Sequence, residues 1–102
     1  MDFLKIMQQA QEVKAKMEQL QDELRHVTVH GSAGGGMVTV EADGKGDVKR
    51  VKIDPSIVKP DDLEMLEDLI VVAVVDAQRK AADVAKQEMQ KLAGPLPFKL
   101  PF

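Results

Sequence analysis

Residues 26–54 read HVTVHGSAGGGMVTVEADGKGDVKRVKID, and valine or isoleucine alternates with polar residues in three short runs of this stretch. A period of two is typical of a strand with one buried face, and glycine-rich segments between such runs indicate tight turns. The stretch therefore predicts three strands, at about residues 26–32, 37–43 and 48–54, joined as an antiparallel meander.

A helical pattern precedes this predicted sheet. Apolar residues recur at alternating intervals of three and four from Phe3 to Val27, which is the spacing of a coiled-coil seam. The positions between them are mostly Gln, Glu, Lys and Asp, with no Gly or Pro to interrupt a helix. We therefore expect a helix over about residues 2–25.

A second helical pattern follows the sheet, between Pro60, which suits a first helical turn, and Gly94-Pro95, which suits an end. The run LIVVAVVDA at 69–77 would also suit a strand by its β-branched content, but its helical flanks favour a helix over about residues 60–93. The remaining tail, GPLPFKLPF at 94–102, is too rich in proline to be helical.

This order of elements, α-β-β-β-α, predicts an α+β fold in a single domain over residues 1–102. A sheet roughly 20 Å across cannot cover two helices of these lengths, so apolar surface would stay exposed on one copy. A two-fold homodimer is the simplest remedy, with the far helix ends projecting beyond its centre. The predicted interface residues are Leu66, Leu69, Ile70, Ala73, Val74 and Ala77.

Composition excludes several classes of protein. The chain has 102 residues and a net charge of −3. It has no cysteine, so disulfides, thiolate metal sites and cysteine nucleophiles are absent. No signal-peptide core opens the sequence, and the longest apolar run, residues 69–75, is too short to span a bilayer. We expect a cytoplasmic protein with no membrane partner.

The segment GSAGGG raises the question of a phosphate site, because Gly31 and Gly36 have the outer spacing of a P-loop. Met37 and Val38 stand where that motif needs Lys and Ser or Thr, and a strand rather than a helix follows. The segment therefore favours a hairpin loop.

No catalytic or metal-binding constellation emerges elsewhere in the sequence. His26 and His30 are four residues apart but straddle the predicted boundary between helix and strand, with too few other ligands nearby. Neither serine has a base that the sequence places beside it. We predict no enzyme, no metal, no cofactor and no small-molecule substrate.

Basic residues lie on both predicted helices. They are Lys5, Lys14, Lys16, Arg79, Lys80, Lys86 and Lys91. One interpretation is a solvated helix surface, with Glu12–Lys16 and Lys14–Glu18 as intrahelical ion pairs. The other is contact with nucleic-acid phosphates, in which the lack of Trp and Tyr argues against stacking on single strands.

Five segments together carry a resemblance to a known family: MQQAQEVKAKMEQLQDEL, GSAGGGMVTVEADG, VKRVKIDPSIV, EMLEDLIVVAVVDAQRKA and PFKLPF. The chain resembles the YbaB/EbfC family of small bacterial nucleoid-associated proteins. The resemblance implies an α-β-β-β-α fold, a tweezers-shaped homodimer, binding of double-stranded DNA in the nucleoid, and a part in chromosome organisation and gene regulation. It also implies that the projecting helix ends grip the duplex through the seven basic residues named above.

An alternative function uses the same features differently. The coiled-coil seam of the first helix and the Pro-Phe tail could bind another protein, which would make the chain a non-enzymatic interaction module or scaffold.

Overall fold

The structure is a computed structural model that describes residues 2–93. It confirms the predicted order α-β-β-β-α. The elements are α1 (Phe3–Arg25), β1 (Thr28–Ala33), β2 (Val38–Asp43), β3 (Val48–Ile53), two short 3-10 turns (Pro55–Ile57 and Pro60–Asp62) and α2 (Leu63–Ala93). The run LIVVAVVDA is helical, as its flanks predicted, and the predicted tail at 94–102 lies outside the described residues.

A hydrogen bond holds helix α1 at each end. The Asp2 side chain caps its start by accepting a hydrogen bond from the Leu4 N–H at 3.1 Å. At its other end, the Gly44 N–H donates to the Leu24 carbonyl at 2.8 Å, and a Cβ on Gly44 would lie 2.8 Å from that oxygen. Glycine therefore lets the turn between β2 and β3 hold the end of α1.

The three strands form an antiparallel meander in the order β1-β2-β3, as predicted. Val29 pairs with Ala42 and Ala33 with Val38, so the inward-facing positions of β1 and β2 share one face of the sheet. Gly34, Gly35 and Gly36 turn the chain between these strands with φ values of 63°, 66° and 91°. Only glycine adopts three successive positive φ angles without strain, which explains the glycine-rich sequence.

Helix α2 packs across β1 and β2 through a row of small side chains. Ala73, Ala77 and Ala81 are at most 1% exposed. A Cβ built on Gly31 of β1 would lie 2.3 Å from the Ala73 carbonyl oxygen and 2.3 Å from the Ala77 nitrogen. The backbones of strand and helix therefore meet directly, and this contact sets the position of α2 on the sheet.

The chain is elongated, with a radius of gyration of 19.3 Å and extents of 69 × 22 × 16 Å. A compact domain of this length would have a radius of gyration of about 13 Å. The difference arises because α1 and the distal half of α2 extend beyond the sheet. Leu20 and Leu24 of α1 are buried, whereas residues 2–16 are exposed throughout.

Candidate nucleic-acid interface

The three predicted basic residues of α1 lie on its projecting half. Lys5, Lys14 and Lys16 are all exposed. The ion pairs expected for a solvated surface, Glu12–Lys16 and Lys14–Glu18, are not formed within 4.0 Å, and none of the three lysines pairs with another acidic group in residues 2–93. Their ammonium groups are therefore available to an external anion.

On α2, the Asp76 carboxylate organises two of the predicted basic residues. It lies 2.7 Å from Arg79 Nη2 and 3.2 Å from Lys80 Nζ, and it accepts a hydrogen bond from the Ser32 N–H of β1 at 3.0 Å. Lys80 also donates to the His30 carbonyl at 3.0 Å. Lys80 is thus held against β1, while the Arg79 side chain remains 70% exposed.

The same contacts perturb the acidity of Asp76. The Ser32 N–H and then the Lys80 hydrogen bond lower the pKa of the Asp76 carboxyl below its ordinary value of 3.8, against the opposing effect of burial, and the charges of Lys80 and Arg79 lower it further. The carboxylate therefore stays ionised at neutral pH and neutralises part of the local positive charge.

Farther along α2, the basic residues divide between two faces. Lys86 follows Arg79 by about two helical turns and so lies on the same side of the helix, and it is exposed. Lys91 instead pairs with Glu88 of α2 at 3.2 Å and lines a cleft between the two helices that also contains Lys16 of α1. The structure thus brings together the bases of α1 and α2 at one point, Lys16 and Lys91.

Strand β3 carries further exposed bases that the sequence prediction did not include. Arg50 and Lys52 are exposed, and within residues 2–93 neither pairs with an acidic side chain within 4.0 Å. Lys49 lies 3.5 Å from Asp43. The signal was present in VKRVKI, where basic residues interrupt the apolar alternation, but the prediction considered only the helices.

Asp43 is the one buried charged side chain of the described core, at 3% exposure. Burial alone would raise the pKa of its carboxyl, but hydrogen bonds from the Asp47 and Lys45 N–H groups, together with the Lys49 charge, lower that pKa. These bonds measure 3.1 and 2.9 Å and close the turn between β2 and β3. Asp43 therefore organises the turn.

The predicted interface residues of α2 divide by burial. Leu66, Ala73 and Ala77 are at most 9% exposed and belong to the core between α2 and the sheet. Leu69, Ile70 and Val74 are half-buried at its margin. The opposite side of α2 exposes three valines that the prediction did not name, Val71, Val72 and Val75 at 60%, 54% and 58%.

The remaining sequence features fall outside this interface. GSAGGG forms the end of β1 and the hairpin turn to β2, as its sequence favoured. His30 lies 3.3 Å from Glu41, and no group of three potential metal ligands occurs within residues 2–93. Over the same residues, neither helix is long and apolar enough to cross a membrane.

Comparison with known proteins finds related sequences. The sequence profile of the YbaB/EbfC DNA-binding family matches residues 1–96. A nucleoid-associated protein of Gemmatimonas aurantiaca is 51% identical to the chain over 104 residues, covering 100% of both. A nucleoid-associated protein of Nitrobacter hamburgensis is 50% identical over 95 residues, covering 93% of this chain and 90% of its own.

The fold also has a solved counterpart. The crystal structure of the uncharacterized protein HP0035 from Helicobacter pylori matches with a TM-score of 0.81, covering 92% of this chain and 99% of that one. The two sequences are 24% identical, so this similarity concerns the fold alone.

Proposed function

The chain belongs to the YbaB/EbfC DNA-binding family, and from this we propose that it binds double-stranded DNA as a homodimer, with little sequence specificity. The observation that carries the proposal is the family match over residues 1–96. The relatives' names, nucleoid-associated proteins, support a place in the nucleoid and hence the cytoplasm, with a part in chromosome organisation and gene regulation. We propose no catalytic activity.

The distribution of positive charge supports contact through the projecting helices. Lys5, Lys14, Lys16 and Lys86 are exposed and make no ion pair within residues 2–93, although the whole chain is acidic. Long flexible bases of this kind meet phosphate oxygens, which position a protein on a duplex and carry no sequence information. The proposal therefore assigns these residues to the DNA backbone.

In this proposal, a second copy of the chain supplies the other half of the DNA-binding surface. The exposed face of α2 carries Val72 and Val75 beside Ser32 of β1, and β3 separately exposes Val48 and Val51 at 41% and 42%. A soluble monomer rarely leaves such surface in water. We propose that the half-buried predicted residues Leu69, Ile70 and Val74 border this interface, which Val71, Val72 and Val75 form at its centre.

Charge reversal at two unpaired bases tests the DNA function. We expect Lys14→Glu with Lys86→Glu to weaken binding to duplexes of unrelated sequence and to flatten the dependence of log K on log salt by about one unit per lost phosphate contact. The measurement is fluorescence anisotropy across a salt series. Lys45→Glu with Lys59→Glu is the matched control, because it makes the same charge change at two exposed positions, in the turn between β2 and β3 and before the 3-10 turn that precedes α2, away from the projecting helix ends.

Two results would contradict the proposal. Equal losses in the control and in the doubly reversed variant would mean that only net charge matters, and binding insensitive to salt would exclude phosphate contact. The dimer is tested separately by sedimentation, where a mass near 11.2 kDa at micromolar concentration would exclude it.

One surface supports the protein-interaction alternative. The apolar side chains on the first half of α1 are exposed, as a coiled-coil seam awaiting a partner would be. The Pro-Phe tail that this alternative also invoked lies outside the described residues.

A further inference from the structure

One face of the sheet points away from α2 and carries polar side chains. Val38 and Val40 of β2 are fully buried in the core with α2. Neighbouring residues of a strand point to opposite faces, so Thr39 and Glu41 lie on the other side, which we call the outer face. The strand register places two rows across it, Ser32–Thr39–Lys52 and His30–Glu41–Arg50. The side chains of both rows are exposed or half-buried, so this face is open to a partner.

A β-bulge in β3 places two basic side chains on the outer face. Arg50 lies opposite Glu41, and Val48 lies opposite the next residue of β2. Lys49 is therefore an extra residue in this ladder, and it shifts the alternation of the strand by one position. As a result, Arg50 and Lys52 both lie on the outer face.

The charge of β3 differs from that of every other helix and strand in residues 2–93. Its sequence, VKRVKI, has three basic residues and no acidic one. Helix α1 has four basic and four acidic residues, α2 has four and six, and β2 has two acidic residues. The Arg50 and Lys52 side chains form no ion pair within 4.0 Å in this part of the chain. Positive charge is thus concentrated on β3 of an acidic chain, which favours an anionic partner there.

The outer face offers groups that bind phosphate oxygens. The Arg50 guanidinium can donate two parallel hydrogen bonds to one phosphate, and Thr39 places a hydroxyl opposite Lys52. Arginine, lysine and hydroxyl side chains are common phosphate contacts in protein–DNA complexes. Glu41, the acidic residue of the two rows, lies 3.3 Å from His30 Nε2 of β1. The half of the face nearer β3 therefore suits a phosphate group.

The residue types of the outer face favour a duplex over a single strand. Proteins bind single strands largely by stacking bases on aromatic side chains, and the two rows contain no Phe, Tyr or Trp. The match to a DNA-binding family favours DNA over an acidic protein as the partner.

We propose that the outer face of the sheet, through Arg50 and Lys52, contacts the phosphate backbone of double-stranded DNA as a second surface besides the projecting helices. The inference rests on the proposed function, because it takes DNA as the partner, and it adds two contact residues on the sheet. Phosphate contacts depend on charge and carry no base sequence information. This surface therefore raises affinity for all duplexes alike and steepens the salt dependence of binding.

Removal of the two charges tests the proposal. We expect Arg50→Gln with Lys52→Gln to weaken duplex binding by about tenfold at about 0.1 M salt and to flatten the dependence of log K on log salt by about two units. The matched control is Lys45→Gln with Lys59→Gln, which removes two charges at exposed positions off the outer face. The control should weaken binding by less than about threefold. The measurement is fluorescence anisotropy with duplexes of unrelated sequence across a salt series.

The outcomes separate this inference from the proposed function. Duplex binding by the parent that does not depend on salt would overturn both. Salt-dependent binding that is the same in the parent and in the β3 variant would overturn this inference alone and leave the outer face to an acidic protein partner. Equal losses in the β3 variant and the control would also overturn it, because net charge alone would then decide affinity.

Crosslinking provides a second readout that does not depend on removing charge. The chain has no cysteine, so a photoreactive phenyl azide attached to Thr39→Cys reports on the outer face alone. Glu64→Cys is the control, because Glu64 is exposed on α2, which packs against the other side of the sheet. We expect duplex DNA to crosslink several times more efficiently from Thr39→Cys than from Glu64→Cys. Equal yields from the two positions would overturn the proposal.

Discussion

The junction between β1 and α2 and the first half of α1 are built in opposite ways. At the junction, Gly31 lies so close to Ala73 and Ala77 that no side chain fits between strand and helix. In α1, Phe3 and Leu4 are 72% and 70% exposed. The two regions therefore differ in what they fix: the junction sets the position of α2 on the sheet, whereas the projecting half of α1 exposes its side chains to solvent.

The largest expected effect is at the junction. Gly31→Val places a branched side chain where even a Cβ would lie 2.3 Å from the α2 backbone. Overpacking of a core costs about 1–3 kcal/mol and occasionally more, and here the obstacle is backbone that cannot rotate away. We expect a loss of about 3 kcal/mol or more in urea unfolding at fixed protein concentration.

The neighbouring Ser32→Ala is the control for this change. Ser32 contributes its backbone N–H to Asp76, which alanine retains. We expect a change within about 0.5 kcal/mol. If Gly31→Val were as mild as this control, the direct backbone packing of β1 on α2 would be refuted.

One substitution made at two positions of α1 compares its anchored and projecting halves. Leu24 is 3% exposed and Leu4 is 70% exposed. Leu24→Ala should lose about 2–5 kcal/mol because it leaves a cavity beside the sheet, whereas Leu4→Ala should stay within about 1 kcal/mol. Similar losses at the two positions in urea unfolding would mean that the first half of α1 is as well covered as the second.

A smaller effect is expected from acidification, through Asp76 at the edge of the junction. Its folded pKa lies below the ordinary 3.8, so its contribution to stability is present above about pH 4 and is lost as pH falls through the folded pKa. Asp76→Asn should therefore be less stable than the parent at pH 7. The difference between their urea midpoints should narrow by pH 3. A difference that stays the same between pH 7 and pH 3 would mean that the stability lost in Asp76→Asn does not come from the charge of the carboxylate.

The smallest effect on stability is expected where the charge is exposed. Lys14→Gln removes a base that makes no ion pair within residues 2–93, so the free energy of unfolding should change by less than about 0.5 kcal/mol. The salt slope of duplex binding should nevertheless fall by about one. A change in stability without a change in slope would show that Lys14 serves the fold and leave the DNA interface to other residues.

Periodicity predicted the elements because it reports which residues avoid water. The alternation around Val38 and Val40 predicted a buried face, and both side chains are fully buried. The same reasoning predicted a covered face for β3, but Val51 is 42% exposed because α2 lies over β1 and β2. Sequence periodicity shows that one face of an element is apolar, but it cannot show whether another part of the same chain covers that face.

The candidate interface was also predicted only in part. The bases of both helices are exposed, as their positions indicated, yet the sequence could not distinguish Lys86 from Lys80, which bonds to the His30 carbonyl of β1. That bond joins residues distant in the chain. The sequence shows that Arg50 and Lys52 of β3 are basic, but their exposure depends on which strands α2 covers.

By itself, the sequence determined the order of helices and strands, the glycine hairpin and the family resemblance, because these depend on local spacing and on residue types. Only the tertiary structure decided that Gly31 admits α2 to direct contact, that Ala73 and Ala77 face the sheet, and that Val72 and Val75 face outward. The physical reason is that a helix apolar all round has no preferred side until another element packs against it, and the small residues at one seam let the sheet approach there.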